Sequence, residues 1–371
     1  MLSGALIDML EPPGTIKRIL VIQRNNIGDM VLTTPLLHGL RQAFPAAHIA
    51  VLANSYNATV LDACSAVDQV HVYTKLKHRA PGESWLGNVF ARIGLRRRLR
   101  ALNFDAILLN SGPKDQNAIA FARAIASTAT RVIRFVEPAG AATPHGADIL
   151  LPYPAEDGSH QVQKSALLGM ALGLAREAVT GPCKVTADLA ALASIRAALA
   201  QLASTAPVLG IHLSARRPDQ RWPAAQIIAF ARLAHAQLGC RILLLWSPGS
   251  ADDRLHPGDD EKALEISQAL AAAKLPVLAW PTASLPPLIA ALAACDVVVA
   301  PDGGAMHLAA GVGTPVVALF GSAEPKHWHP WGVAHRVLRP SSRTVADLDP
   351  ATVLEATLAL LNHPHPHDSP R

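Results

Sequence analysis

Short apolar runs recur along the chain, each followed after a few polar or glycine positions by a stretch whose apolar residues return every three or four places. In the first half the runs fall at 19–23, 48–53, 69–73, 105–109 and 131–135, with amphipathic stretches at 30–43, 86–101 and 115–126 between them. Such runs are strand-length and apolar on both faces, as buried parallel strands are. Strand alternating with helix predicts an α/β fold with a parallel sheet covered on both sides. From 136 to 158 the rhythm lapses into a Pro-, Gly- and Ala-rich segment that reads as loop, and a helix is expected at 160–173. The alternation restarts at Pro207, with strands at 207–213, 240–246, 276–279, 296–300 and 315–320 and helices at 223–238, 260–272, 284–293 and 304–312. A boundary within 178–206 then divides an N-terminal domain (1–180) from a second (181–348), with a closing helix and tail at 349–371. Asp349 as N-cap and Pro350 at the first helical position mark the start of that helix.

A chain of 371 residues is comfortable as two domains. Half of its residues are hydrophobic and 16% charged, which suits buried sheet. The net charge of +5 points to an anionic partner. Its four cysteines are far apart and form no C-x-x-C pair, so neither a disulfide framework nor a zinc knuckle is expected. The first residues carry no basic stretch before the break at Pro12-Pro13, unlike a signal peptide. Nor is there an apolar run of about 18 residues to span a membrane. A cytoplasmic protein is expected. The helix at 91–104 carries Arg92, Arg96, Arg97, Arg98 and Arg100. Either it is a solvated face, or it forms a patch for anionic lipid or acceptor phosphate. No aromatic residues interleave with it as a nucleic-acid surface would require.

In open parallel sheets ligands sit beyond the carboxyl ends of strands, and the unusual residues of this chain cluster in those turns. The segment Pro301-Asp302-Gly303-Gly304 is a sharp turn into a helix. The free N–H groups of Gly303, Gly304, Ala305 and Met306, with the helix dipole, suit an anion, and His307 lies in the same turn. A tight βα turn with a capping Asp302 and a core histidine fits the same spacing. At 214–221, Ser214, Arg216, Arg217 and Arg221 form an electropositive rim able to hold phosphate oxygens, or a solvated loop. After the run ending at Trp246, Asp252 or Asp253 could accept from ribose hydroxyls, or simply cap a helix. In the first domain Asn25, Asn26, Gly28 and Asp29 follow the first strand. Asp29 is either a plain N-cap or a base that accepts a proton from a hydroxyl as that oxygen attacks carbon.

The stretches RILVIQRNNIGDMVLTTPLLHGLRQAFP, HLSARRPDQRWP and APDGGAMHLAAGVGTPVVALFG, in this order, resemble glycosyltransferase family 9, the lipopolysaccharide heptosyltransferase family. FDAILLNSG and HQVQKSALLGMALGL are also similar to family segments, and the resemblance spans about 17–335. It implies a GT-B fold, two Rossmann-like domains facing across a cleft. It also implies inverting transfer of a sugar from a nucleotide-sugar, typically ADP-heptose, to a lipid-linked or oligosaccharide acceptor, with no metal or other cofactor. The site would lie at the inner face of the cytoplasmic membrane, with peripheral contact there and no nucleic acid involved. By the resemblance Asp29 is the general base and Asp302, Gly304 and His307 grip the diphosphate, with Ser214, Arg217 and Arg221 beside them. Trp246 with Asp252 or Asp253 takes the nucleoside, and Asn25, Asn26 and Gly28 lie on the acceptor side. Two departures stand out. Gln220 occupies the place of a common lysine, and Asn25-Asn26 that of two serines. A GT-B epimerase or hydrolase and a catalytically silent nucleotide-sugar-binding module are the alternatives. A dehydrogenase is disfavoured, because the first βα turn lacks G-x-G-x-x-G.

Overall fold

The structure, a computed structural model, describes residues 16–73, 85–138, 144–154, 158–202, 204–253 and 257–362. The chain divides into two compact units, Met1–Gly181 and Pro182–Arg371.

In the first unit the strands are β1 (Arg18–Ile22), β2 (His48–Asn54), β3 (Gln69–Tyr73), β4 (Ala106–Leu109), β5 (Arg131–Val136) and β6 (Ile149–Pro152). They form one sheet in the order β3-β2-β1-β4-β5-β6, every neighbouring pair parallel. This is the Rossmann winding, whose strand order reverses between β1 and β4 and opens a crevice at their carboxyl ends. The sheet is apolar on both faces because helices cover both. On one side Leu95 and Leu99 of the helix Trp85–Ala101 and Ala118 and Ala122 of the helix Gln116–Ile125 pack with Leu20, Leu52 and Ile107. The segment expected to be loop contains β6. It is four residues long, lies at the sheet edge and ends in proline, which an edge tolerates, so it shows no readable period. The expected helix at 30–43 is two pieces, Ile27–Val31 and Thr34–Ala43.

The second unit repeats the winding. Its strands are β7 (Val208–His212), β8 (Arg241–Trp246), β9 (Val277–Pro281), β10 (Val297–Pro301), β11 (Val316–Leu319) and β12 (His335–Leu338). Their order is β12-β11-β10-β7-β8-β9, again all parallel, with the switch point between β7 and β10. The edge strand β12 lies beyond the last predicted strand; its sequence HRVL opens on two charged or polar positions. Trp222 and Phe230 pack at 5.5 Å between ring centroids in the core beneath this sheet. Asp349 caps the helix Pro350–Leu361 through the N–H groups of Ala351 (3.1 Å) and Thr352 (3.3 Å). Among the described residues no helix is long and apolar enough to cross a membrane.

The helix Thr34–Ala43 sits against the turn Glu177–Val179 at Gly39, where a Cβ would lie 2.3 Å from the Ala178 carbonyl oxygen and 2.6 Å from Val179 Cγ1. Backbone cannot yield as a side chain can. Gly39→Ala should therefore destabilise the first unit by about 1–3 kcal/mol, read as a lower urea midpoint by circular dichroism.

Candidate active site

When β1 stops, its next carbonyls leave the sheet and must find donors elsewhere. The Ile22 carbonyl accepts from the Asn110 backbone N–H at 3.0 Å. The Gln23 carbonyl accepts from Asn57 Nδ2 at 3.3 Å, and the Arg24 carbonyl from Asn54 Nδ2 at 2.8 Å. Asn25 O takes both amides, at 2.8 Å from Asn54 and 3.4 Å from Asn57. Gln23, Asn54, Asn57 and Asn110 are all buried. A second layer centres on the Thr33 hydroxyl, which accepts from Gln23 Nε2 (3.2 Å) and Asn110 Nδ2 (2.8 Å) and donates to the Asp29 carbonyl (2.7 Å). Ser165 Oγ donates to Asn110 Oδ1 at 3.1 Å.

This scaffold sets the helix Ile27–Val31 and, with it, Asp29. Asn26, not Asp29, is the N-cap, and the two form a capping box in which Asp29 Oδ2 accepts the Asn26 N–H at 3.0 Å. Asp29 is half-buried, Asn26 is exposed and Gly28 is buried. Beside them Arg24 pairs with Asp115 at 3.3 Å and lies over the Tyr73 ring at 5.5 Å.

In the second unit the turn after β10 enters the helix Gly304–Gly311 with Gly303, exposed, as N-cap. His307, in the first turn, is 3% exposed, and its Nδ1 has no partner among the described residues. Burial and the neighbouring His329 push its pKa down to about 4, so the ring is neutral at pH 7. Asp302 just ahead of the helix goes the other way. Burial lifts its pKa to about 6, offset in part by Arg217 and by a hydrogen bond from Gln220 Nε2 at 2.8 Å, and reinforced by Asp219.

The loop after β7 supplies those partners. Arg217 Nε donates to Asp219 Oδ1 at 3.1 Å, and its Nη2 donates to Ser322 Oγ. Asp219 Oδ2 accepts the Ser322 N–H (2.9 Å) and hydroxyl (2.7 Å), which holds that carboxyl below the usual range. Arg221 Nε donates to the Ala215 carbonyl at 3.0 Å, leaving its other N–H groups uncommitted to that contact. Ser214 Oγ accepts the Ser247 N–H at 2.9 Å. His212, half-buried at the end of β7, has its Nδ1 enclosed and without a partner among the described residues, and burial beside Lys262 holds its pKa near 4.

The turn after β8 is organised by an acid absent from the sequence-based set. Asp260 accepts Trp246 Nε1 (2.7 Å) and the Gly249 N–H (2.8 Å), tying the end of β8 to the start of the helix Asp260–Ala272. Trp246 is 9% exposed and part of the core, while Asp252 and Asp253 are exposed. The structure thus brings Asp302, Gly303, Gly304, Ala305, Met306 and His307 together in one turn of the second unit. Ser214, Arg217 and Arg221 share the adjoining loop, and Gln220 bonds directly to Asp302. Sequence reasoning missed Asn54, Asn57, Thr33, Asn110 and Asp260 as positioning groups. The one available signal was an asparagine directly terminating two apolar runs, HIAVLAN and AILLN.

The sequence model of glycosyltransferase family 9 (heptosyltransferase) matches residues 92–355, which include the 214–221 and 302–307 segments and not Asp29. Lipopolysaccharide heptosyltransferase 1 of Escherichia coli (strain K12) is 23% identical over 359 residues, spanning 92% of this chain and 100% of that protein. Among solved structures, a family 9 glycosyltransferase from Veillonella parvula DSM 2008 superimposes with a TM-score of 0.77 at 18% identity, covering 95% of this chain and 99% of that one. The E. coli heptosyltransferase WaaC with ADP gives 0.71 at 19% identity, covering 92% and 99%. At these identities the solved structures speak to the fold.

Two outcomes follow from the geometry. Thr33→Val strands two buried amide donors and should cost about 2–4 kcal/mol, with Thr33→Ser close to wild type, measured by urea unfolding. The second concerns acid. His212 and His307, near 4 when folded against 6.5 ordinarily, stay neutral while the unfolded chain takes up protons. Their contribution is therefore intact above pH 6.5 and lost as pH falls towards 4, by up to about 3 kcal/mol each. Asp302, about 6 when folded against 3.8, works in the opposite sense between those values, so two groups outweigh one. Five of the six tryptophans lie in this unit, so their fluorescence in urea should report a lower midpoint at pH 4.5 than at pH 7. His307→Gln should shrink the difference.

Proposed function

Since the chain belongs to glycosyltransferase family 9, we propose that it is an inverting glycosyltransferase that moves a sugar, heptose from ADP-heptose, onto a lipopolysaccharide core or related glycan acceptor. One observation carries the donor half of this reading. At the switch point of the second unit, a helix N-terminus, a buried histidine with an unpartnered nitrogen and an arginine-bearing loop converge on one turn. An unpaired buried polar atom is rare and calls for a reason. Here the reason is a leaving diphosphate.

In this mechanism the acceptor hydroxyl attacks the anomeric carbon as the bond from that carbon to the diphosphate breaks on the opposite face, inverting its configuration. Asp29 takes the hydroxyl proton, and the nucleoside diphosphate carries away the bonding electrons. Charge grows on the departing oxygens. Fixed donors where that charge develops lower the barrier most: the N–H groups of Gly303 to Met306, His307 and the guanidinium groups of Arg217 and Arg221. On the acceptor side Asn25 and Asn26 are placed by the same turn as Asp29, so they bear on which hydroxyl is presented. The ribose falls to the loop after β8, where Asp260 fixes the backbone and Asp252 and Asp253 are exposed. We assign contact with an anionic membrane surface to the helix Trp85–Ala101, whose Arg96, Arg97 and Arg100 are exposed beside Ile93.

The test begins with thermal stabilisation by ADP-, UDP-, GDP- and dTDP-sugars and continues with product analysis on truncated core acceptors. ADP-heptose should stabilise the protein and be consumed only with acceptor; consumption without acceptor would overturn the transferase reading. Asp29→Asn should lower turnover by on the order of a hundredfold or more while donor binding persists. A variant with wild-type turnover would remove Asp29 from the role of base. His307→Ala should lose about a hundredfold in turnover.

A further inference from the structure

The charge of the donor cradle is set by its composition. Arg217 is the cation whose charge acts on Asp302, and its Nε and Nη2 also bond Asp219 and Ser322. Asp219 adds a like charge from the same loop. The group in direct contact with Asp302 is neutral: Gln220, 5% exposed, its Nε2 at 2.8 Å from Oδ2, and the side chain's hydrogen-bond partner among the described residues. The helix that follows carries one ionisable side chain, His307, which is neutral. The segment 321–329 brings Glu324, Lys326, His327 and His329. With Asp302 ionised, Arg217, Asp219, Gln220 and Asp302 together carry one negative charge, which Arg221 of the same loop only cancels; with Asp302 protonated, the five carry one positive charge. A donor diphosphate adds two more negative charges to this place.

We propose that the nucleotide-sugar binds here together with one proton, taken up by Asp302, and that Gln220 is the positioning residue that holds the acid in both charge states. The inference rests on the donor-site reading above. An amide donates to a carboxylate oxygen and to the carbonyl oxygen of a carboxylic acid alike, so the Gln220 contact survives protonation. The protonated group then offers an O–H to a phosphate oxygen where the carboxylate would have repelled it. A pKa already lifted to about 6 by burial shortens the step, because little further shift is needed for the acid to be neutral in the complex at pH 7. Gln220 differs in this from an ammonium group, which would fix Asp302 as its anion and supply the missing positive charge itself.

Calorimetric titration of the full chain tests this with ADP-glucose, and with UDP-, GDP- and dTDP-glucose in parallel, diphosphate diesters that stay fully ionised from pH 5.5 to 8.5. Wild-type affinity should fall on the order of tenfold per pH unit above the pKa of Asp302. Buffers of different protonation enthalpy should count about one proton taken up near pH 7.5. Asp302→Asn, equal in size, should bind at pH 8 as tightly as wild type does at pH 5.5, with no proton uptake. Gln220→Lys should also abolish the uptake and tighten binding at pH 8. Melting curves establish that each variant is folded, and if Gln220→Lys is not, Asp302→Asn decides alone. Wild-type binding that is independent of pH, or a slope that persists in Asp302→Asn, overturns the proposal and leaves the donor site standing. No binding of any of the four, or of ADP-heptose, by wild type at any pH overturns the donor-site reading, and the proposal with it.

Discussion

A parallel strand that ends inside a protein leaves carbonyl groups pointing along its axis with no neighbouring strand to satisfy them, and the solution found at β1 governs the first unit. Four consecutive carbonyls, from Ile22 to Asn25, are taken by the Asn110 backbone and by the side-chain amides of Asn54 and Asn57. Asn54 makes two donor contacts and, through Oδ1, accepts the N–H groups of Tyr56 and Asn57 at 2.8 and 3.0 Å, so its hydrogen-bonding capacity is full. A turn held in this way needs no glycine-rich fingerprint. Its shape is dictated by side chains arriving from β2 and β4, and Asp29 inherits its position from them.

The second unit uses the same winding and leaves different groups at the equivalent place. His212 Nδ1, His307 Nδ1 and Asp259 Oδ2 are buried without partners among the described residues. Lys262, mostly enclosed, has its pKa lowered by burial. Each unsatisfied buried group costs about 1–3 kcal/mol. The contrast is one of kind. At the β1 turn the amides of Asn54, Asn57 and Asn110 and the Thr33 hydroxyl satisfy one another, with Arg24 Nε and Ser111 Oγ beside them unpartnered among the described residues, whereas in the second unit the unpartnered atoms are two imidazole nitrogens and a carboxylate oxygen.

How much of this could be read beforehand depended on whether the deciding interaction was local. VVVAP declares a buried strand by itself, and Asp349-Pro350 declares a helix start, because strand burial and capping act within a few residues. The edge strands β6 and β12 escaped because four residues half-exposed at a margin have no obligatory pattern. The cap at Asn26 escaped for a subtler reason, since an acid at the third helical position and one at the cap look alike in sequence. Asn54, Asn57 and Asn110 were hard to read because their partners lie as far as 77 residues away. The Gln220–Asp302 contact spans 82 residues. From the sequence Gln220 is merely a departure from a lysine; only its burial against Asp302 gives it a role.

The loop after β7 shows why the charges of the donor cradle act as one body. Four successive residues each reach a different part of the second unit. Asp219 holds the Ser322 backbone and hydroxyl beyond β11, and Gln220 holds Asp302 beyond β10. Arg221 returns to the Ala215 carbonyl near the end of β7, and Trp222 donates to the Leu348 carbonyl at 3.2 Å ahead of the final helix. The contact at Asp219 is close enough to require glycine at 321, where a Cβ would lie 2.6 Å from both the backbone oxygen and the carboxyl of Asp219. Three strand ends are therefore tied by one short stretch. The half-exposed Arg217 can swing, whereas Asp219 and Gln220 are held by the groups they bond, so the acids of this place stay where they are when a ligand arrives. Protonation is the adjustment left, which is why the acid that sits on this stretch against a neutral amide is the one whose charge must yield.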